Sequence, residues 1–396
     1  MFQQAGFFTL SRAKVLSITL LCVELLDELI SGLPVVALPL LRDQVMLTYA
    51  QVGLLFTLAE LASVLCDPII SLLSDRGSKR WWISGGLVGL SFSFVLIGSV
   101  HSFALLLLAF VLAAPCGKAA VGLAQAALID QAAMSSARTM TRWVLMGSIG
   151  DLLAPLAVTL AAIAGAGWSG LCWLAAALWF AVALAALPQR FPRAQVISSD
   201  GEGESVGLWA GLRVALRDPV LLRWAALATI PTMMDEVFLS FVSLYLHDVL
   251  HASQALIGVI IAIDMAGSLV GLLIVGQIVK RGKVHPRQLL MWLALVALIG
   301  VVGFLTFHSL WIAALMLFIT SLGVTGWYPI AKAAAYDRLP GRSGTVLAVI
   351  SLGGPFEIAL PGLIGYVAAR FGLLTGLGLL GLAPVLMLLL APKRAG

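Results

Sequence analysis

The sequence predicts an all-α membrane protein of twelve transmembrane helices in two pseudo-symmetric six-helix bundles, and three observations carry that prediction. Hydrophobic residues make up 61% of the 396-residue chain and charged residues only 11%, with a mean hydropathy of +1.05. A soluble domain has about half apolar and about a quarter charged residues, so most of this exterior must face lipid. The chain also divides into apolar runs long enough to cross a hydrocarbon core of about 30 Å, and its two halves repeat one another. Disordered, coiled-coil and extracellular scaffold classes are excluded by the same composition.

The runs fall near 15–41, 51–74, 81–100, 104–133, 143–166 and 170–188 in the first half. In the second half they fall near 224–247, 254–279, 288–307, 309–336, 344–368 and 371–391. Each is a long continuous stretch, where a β-barrel would show about ten-residue alternating segments. The first run follows Arg12 and Lys14 but is too long for a signal-peptide core, so it is kept as a span. Trp81, Trp82, Trp168 and Trp311 stand at span ends as interface anchors. Cys22, Cys66, Cys116 and Cys172 lie inside apolar runs and read as small buried hydrophobes.

Orientation comes from the 24 basic residues. With both termini cytoplasmic, only Arg42 and Arg370 fall outside, Lys118 and Lys332 fall within spans, and the rest collect in cytoplasmic segments. The net charge of +5 therefore reports topology, and no nucleic-acid partner is implied. The expected organisation is an N-terminal bundle at 1–188, a polar linker at 189–222 around Ser198-Ser199-Asp200-Gly201-Glu202, and a C-terminal bundle at 223–396. The bundles are related: Asp27-Glu28 recurs as Asp235-Glu236, Arg76-Gly77 as Arg281-Gly282, His101-Ser102 as His308-Ser309, and Pro155 as Pro361. Each half holds an even number of spans, so the repeats are parallel, which is a transporter architecture with its site at the bundle interface.

A charge at mid-bilayer costs about 2.5 to 3.5 kcal/mol on insertion scales, so the charged spans are informative. Spans one and seven carry Glu24, Asp27, Glu28 and Asp235, Glu236; spans four and ten carry Lys118, Asp130 and Lys332, Asp337. Spans two and eight carry Glu60, Asp67 and Asp264, spans five and eleven Asp151 and Glu357, and spans three, six, nine and twelve none. Glu24, Asp27 and Glu28 share one helix face, and three carboxylates that close cannot all ionise in a low dielectric, so at least one is expected to be available to carry a proton; the alternative is that one or two of them cap or pair with neighbouring helices as structural contacts. Asp27, Glu28, Lys118, Asp235, Glu236 and Lys332 are the candidate substrate and proton-coupling residues. Lys118 is read as a counter-ion to Asp27 or Glu28, as an anchor for an anionic substrate, or as a structural partner. Asp151 and Glu357 are either gating acids or acids satisfied by backbone freed at nearby prolines. Glu60, Asp67 and Asp264 read first as helix-helix contacts.

The end of span two, Ser71-Leu72-Leu73-Ser74-Asp75-Arg76-Gly77-Ser78-Lys79-Arg80, resembles the Gly-x-x-x-Asp-Arg-x-Gly-Arg-Arg loop of the major facilitator superfamily. Gly276-Gln277-Ile278-Val279-Lys280-Arg281-Gly282-Lys283 is a degenerate second copy. With the twelve spans, the duplication and the linker, the resemblance covers nearly the whole chain. It implies alternating access, with Asp75, Arg76, Lys79, Arg80, Asp130 and Arg138 holding the cytoplasmic side closed. Lys118 with Gly122 is also similar to the Arg-x-x-Gln-Gly motif of proton-coupled exporters, with Val121 at the glutamine position; the Gly-Pro-x-x-Gly-Gly motif of helix five is not matched.

The expectation is a proton-coupled secondary transporter in a cell inner membrane, monomeric, exporting small organic or amphipathic solutes. The alternative is a lipid flippase or organic-anion carrier in which Lys118 and Lys332 grip a phosphate or carboxylate. An intramembrane enzyme is not expected, since the chain has neither HExxH nor GxSxG and His101, His247, His251, His285 and His308 lie in or beside loops. No metal and no cofactor is implied. Fold alone does not separate a transporter from a membrane sensor built on the same bundle.

Overall fold

The computed structural model describes residues 12–75, 79–131, 136–189, 215–281, 284–338, 346 and 349–391. Among them the secondary structure is entirely helical. The first half runs α1 (Arg12–Val36), α2 (Leu38–Val45), α3 (Tyr49–Asp75), α4 (Lys79–Ser99), α5 (Phe103–Gly117), a π-helical turn (Lys118–Gly122), α6 (Leu123–Gln131), α7 (Ser136–Ile163) and α8 (Trp168–Ala186). The second runs α9 (Pro219–Thr229), a 3₁₀ turn (Ile230–Met234), α10 (Glu236–Asp248), α11 (Gln254–Arg281), α12 (Pro286–Thr306), α13 (Leu310–Val324) and α14 (Trp327–Arg338). It closes with a 3₁₀ turn (Ser351–Gly353), α15 (Gly354–Phe371), α16 (Leu373–Leu380) and α17 (Ala383–Leu390). Eleven segments are long and apolar enough to cross a membrane. The helix α1, with Glu24, Asp27 and Glu28 in its middle, is the twelfth.

Several starts are written in local chemistry. Thr48 and Gln51 form a reciprocal capping box before α3: the Thr48 N–H donates to Gln51 Oε1 at 2.9 Å, and the Gln51 N–H to Thr48 Oγ1 at 3.2 Å. Asp218 caps α9 by accepting the Val220 and Leu221 N–H groups at 2.9 and 3.2 Å, with Pro219 in the first turn.

The structure corrects the expectation of continuous spans. Span one breaks at Ala37, between Pro34 and Pro39. Span four passes through the π-turn just after Pro115. Span seven breaks at the 3₁₀ turn around Pro231, span ten at Thr325–Gly326 ahead of Pro329, and span twelve at Gly381–Leu382 ahead of Pro384. Proline removes a backbone donor and its ring crowds the preceding turn, which ends or kinks an α-helix. Irregular backbone at membrane depth is tolerated only where protein buries it or water reaches it. Four of these five spans are the ones that carry Asp27, Lys118, Asp235 and Lys332.

The chain forms two compact units, residues 1–32, 58–154 and 166–197 in one and residues 33–57, 155–165 and 198–396 in the other. In the first, α4 lies along α8 and α5, and Ser91 Oγ donates to the Ala176 carbonyl at 2.8 Å. In the second, α11 rides directly on α13. A β-carbon at Gly267 or Gly271 would stand 2.4 and 2.6 Å from the carbonyl oxygens of Phe318 and Leu322, so the approach requires glycine. The ends of spans one, two and five join this second unit. Gln254 Nε2 donates to the Val36 carbonyl at 2.8 Å, Thr57 Oγ1 accepts the Gly362 N–H at 2.8 Å, and Thr159 Oγ1 donates to the Ala255 carbonyl at 3.3 Å.

Candidate functional site

In the first unit, α1 presents Glu24, Asp27 and Glu28 on one face, and carboxylate oxygens of the three lie within 4.8 Å of one another. Glu24 is only 6% exposed. Two ionised carboxylates at that distance repel by roughly 3 to 4 kcal/mol at an effective dielectric of about 20, so the cluster is stable only with a proton or another cation among them. The helix α7 supplies the wall. A β-carbon on Gly150 would stand 2.5 Å from the Leu25 carbonyl oxygen and 2.9 Å from Glu28 Cβ, and one on Gly147 would stand 2.9 Å from Glu24 Oε1. The two glycines let α7 lie against the acidic face, and this approach places Asp151 where its charge acts on Glu24.

Lys118 sits in the π-turn with its side chain exposed and its charge acting on Asp27; no direct ion pair joins the two. Of the six candidate coupling residues, the fold therefore gathers Asp27, Glu28 and Lys118, and adds Glu24 and Asp151.

The second unit holds Asp235 at the break of span seven and Glu236 as the first residue of α10. Asp235 acts electrostatically on Asp264, which is 3% exposed and accepts a short hydrogen bond from Ser321 Oγ on α13. One turn along, Ser268 and Thr325 hydroxyls pair at 2.8 Å, extending a polar ladder between α11 and α13. Asp264 is thus fully buried on one hydroxyl donor, consistent with the helix-helix contact that sequence reasoning favoured. Lys332 donates to Tyr328 Oη at 2.8 Å, with its Nζ 4.9 Å from the centre of that ring. Asp337 is exposed, and Glu357 lies exposed in the first turn of α15.

At the end of α14, Arg338 donates to Asp218 Oδ2 at 3.1 Å and ties α14 to the capped start of α9. The Asp218 carboxyl is held below the usual carboxylate range: its partial burial pushes upward, and the two N–H donors with the Arg338 guanidinium outweigh it. Of the candidate cytoplasmic gate, Lys79 is buried and Arg80 stacks over Trp81 with its guanidinium 5.2 Å from the ring centre. Arg76 and the side chains of Asp75, Asp130 and Arg138 lie outside the described residues.

One cluster was missed by sequence reasoning. Arg42 and Asp43 of α2, Tyr49 at the start of α3, and His247 and Asp248 at the end of α10 meet at the end of the second unit remote from Arg338. The signal available in sequence was Arg42 itself, one of two bases the charge count left on the outer side.

The model of the Major Facilitator Superfamily matches residues 20–356. The chain belongs to that superfamily. It is accordingly a multi-pass membrane transporter of the secondary class and not an enzyme. No curated protein sequence matches the chain. Among solved structures, a variant of the nucleoside transporter NupG superposes with a TM-score of 0.77 at 13% identity, covering 94% of this chain and 98% of that one. A bacterial homolog of the human lysosomal transporter Spinster, in its inward-facing and occupied conformation, gives a TM-score of 0.73 at 19% identity, covering 96% and 94%. At these identities the likeness establishes the shared fold.

Proposed function

We propose that this transporter works by alternating access of its two six-span halves, 1–188 and 223–396 about the linker 189–222, and couples proton entry to the export of small organic or amphipathic solutes. The observation that carries the reading is the cluster of Glu24, Asp27 and Glu28, walled by α7 with Asp151 and faced by the charge of Lys118. Its own repulsion demands a cation, and a proton is the smallest one. Protonation of Asp27 or Glu28 releases Lys118, deprotonation recruits it, and a substrate competes for the same carboxylates, so the cluster is never left with uncompensated charge. Asp235 and Glu236, at the break of span seven, are the corresponding second site, and Lys332 is a further coupling residue. Asp75, Arg76, Lys79, Arg80, Asp130 and Arg138 hold the cytoplasmic side, and Asp151 and Glu357 act in gating. Export agrees with the Lys118–Gly122 resemblance. The protein acts as a monomer in a cell inner membrane with its termini cytoplasmic.

The test is flux in proteoliposomes under an imposed proton gradient and, separately, a sodium gradient. Asp27→Asn with Glu28→Gln is expected to abolish proton-driven flux while the protein stays folded and monodisperse. Unchanged proton-driven flux, or flux driven by sodium alone, defeats proton coupling.

A second reading, transport of a lipid or organic anion, is favoured by an apolar cavity of about 330 Å³ in the second unit. Leu222, Ala226, Thr229, Met233, Leu352 and Phe356 are among its walls. An apolar void of about 150 Å³ takes up benzene, so this one has room for a longer hydrocarbon tail. Stabilisation by anionic lipid that disappears in Lys118→Ala and Lys332→Ala favours this version over the first.

A further inference from the structure

The apolar cavity of the second unit has a cause in the sequence. On α9 the side chains facing the 3₁₀ turn at Ser351–Gly353 and α17 include the small Ala225 and Ala226. The helix and the turn touch at one point, where a β-carbon on Gly353 would collide with Thr229 Oγ1. Around that contact the alanines leave a gap of about 330 Å³, closed on its third side by Leu386 and Leu390 of α17. Leu222, Leu352 and Phe356 also line it and are 36%, 61% and 43% exposed, so the cavity has an open mouth. From Leu222 to Met233 its wall rises about 16 to 18 Å, at about 1.5 Å per α-helical residue and about 2 Å in the 3₁₀ turn. That is close to half of a hydrocarbon core of about 30 Å, the depth of one leaflet.

The walls decide what fills this space. A buried water needs about two to four polar partners, and the single hydroxyl among the lining side chains, that of Thr229, already donates to the Ala225 carbonyl at 3.3 Å. Hydrocarbon meets no such requirement. The rim at the start of α9 is basic. Arg217 lies in the turn before α9 and Arg223 one turn before Ala226, both exposed. The neighbouring acid, Asp218, is taken by Arg338 and by the first N–H groups of α9. Among the described residues neither Arg217 nor Arg223 has an ion-pair partner. Arginines at a helix end carry their guanidinium groups to the headgroup level, so the rim favours an anion above an apolar slot. All the walls belong to one unit. Rocking of two bundles opens and closes a site between them and does not open this one, which suits a resident molecule and not a carried one.

We propose that this cavity binds one acyl chain of a resident anionic phospholipid from the leaflet beside the start of α9, with Arg217 and Arg223 on its phosphate. The chain supplies the packing that Ala225 and Ala226 leave out and holds α9 against α15 and α17, so it stabilises the second unit. The site uses none of Asp27, Glu28, Lys118, Asp235, Glu236 and Lys332, and it stands whichever solute the protein carries. With a resident lipid in place, the apolar room of the cavity no longer argues for lipid as cargo.

The experiment takes the full chain, delipidated in detergent, and adds dioleoyl phosphatidylglycerol, phosphatidylcholine with the same chains, or glycerol 3-phosphate. Native mass spectrometry reads binding and thermal unfolding reads stability. The expected result is one retained phosphatidylglycerol and a raised Tm, with phosphatidylcholine binding at least about fivefold more weakly, the scale of one basic residue at an anionic surface. Glycerol 3-phosphate should do nothing. Ala226→Phe puts a ring into a space with room for it; it should unfold no lower than the parent without lipid and bind phosphatidylglycerol roughly tenfold or more weakly, the scale of two displaced methylenes. Leu386→Trp, from the opposite wall, serves where that variant does not fold. Arg223→Gln should keep the lipid but lower the preference for phosphatidylglycerol about fivefold. Undiminished binding in the cavity-filling variants overturns the site, equal affinity of the two lipids overturns the headgroup contact, and stabilisation by glycerol 3-phosphate overturns the acyl chain. Movement of labelled phosphatidylglycerol between the leaflets of proteoliposomes that Ala226→Phe stops would make the lipid cargo and overturn its residence.

Discussion

The close approach of α7 to the acidic face of α1 is the feature on which the coupling cluster depends, and Gly150→Ala probes it directly. A methyl group there would stand 2.5 Å from the Leu25 carbonyl oxygen, 0.9 Å short of the 3.4 Å at which ordinary contact begins. The neighbour is helix backbone, which cannot swing aside, so α7 must move away from α1. Overpacking of this kind costs typically about 1 to 3 kcal/mol, against a helix-propensity gain from alanine of about 1 kcal/mol, so a net loss of up to about 2 kcal/mol is expected. Gly147→Ala should cost less, because its nearest atom, Glu24 Oε1 at 2.9 Å, ends a flexible side chain. Gly85→Ala, on α4 with nothing within 4 Å, should be neutral or stabilising by up to about 1 kcal/mol. Thermal unfolding of the three variants in one detergent checks the order, and proton-driven flux checks whether moving α7 disables the cluster. If Gly150→Ala unfolds with the wild-type chain and transports normally, the two helices do not touch as described and the site loses its wall.

Ser321→Ala leaves the Asp264 carboxyl without its hydroxyl donor at 3% exposure and is expected to destabilise by about 1 to 3 kcal/mol; the melting temperature, compared with that of Ser268→Ala, reports it. Arg338→Ala removes a half-exposed ion pair and should cost less than about 1 kcal/mol, whereas Asp218→Ala also removes the cap of α9 and should cost about 1 kcal/mol more. Because the Asp218 carboxyl is held below its ordinary value, its contribution is present above that value and fades as pH falls through it. The stability difference between Asp218→Asn and the parent, followed by acid titration, should therefore shrink below about pH 4.

Length and hydropathy located the spans, because the need to match a bilayer imposes a long-range composition no loop shares. The paired acids Asp27-Glu28 and Asp235-Glu236 were visible as a repeat, and the loop from Asp75 to Arg80 as a superfamily signature. The breaks in spans one, four, seven, ten and twelve were less legible, although each lies beside a proline. Proline in a membrane helix is tolerated in many ways, and whether it kinks, opens a π-turn at Lys118 or ends a helix at Ala37 depends on the neighbours that satisfy the freed backbone.

Sequence by itself determined that this is a twelve-span membrane transporter and which charges enter the membrane, since both follow from the cost of transferring residues into hydrocarbon, a property of composition along the chain. Tertiary structure alone decided which charges meet: Asp151 with Glu24 through glycine contacts on α7, Asp264 with Ser321, and His247 with Asp43 and Asp248. Those pairings join residues from far apart in the chain, and they are set by helix packing at distances of a few ångströms, which no local pattern of residues encodes.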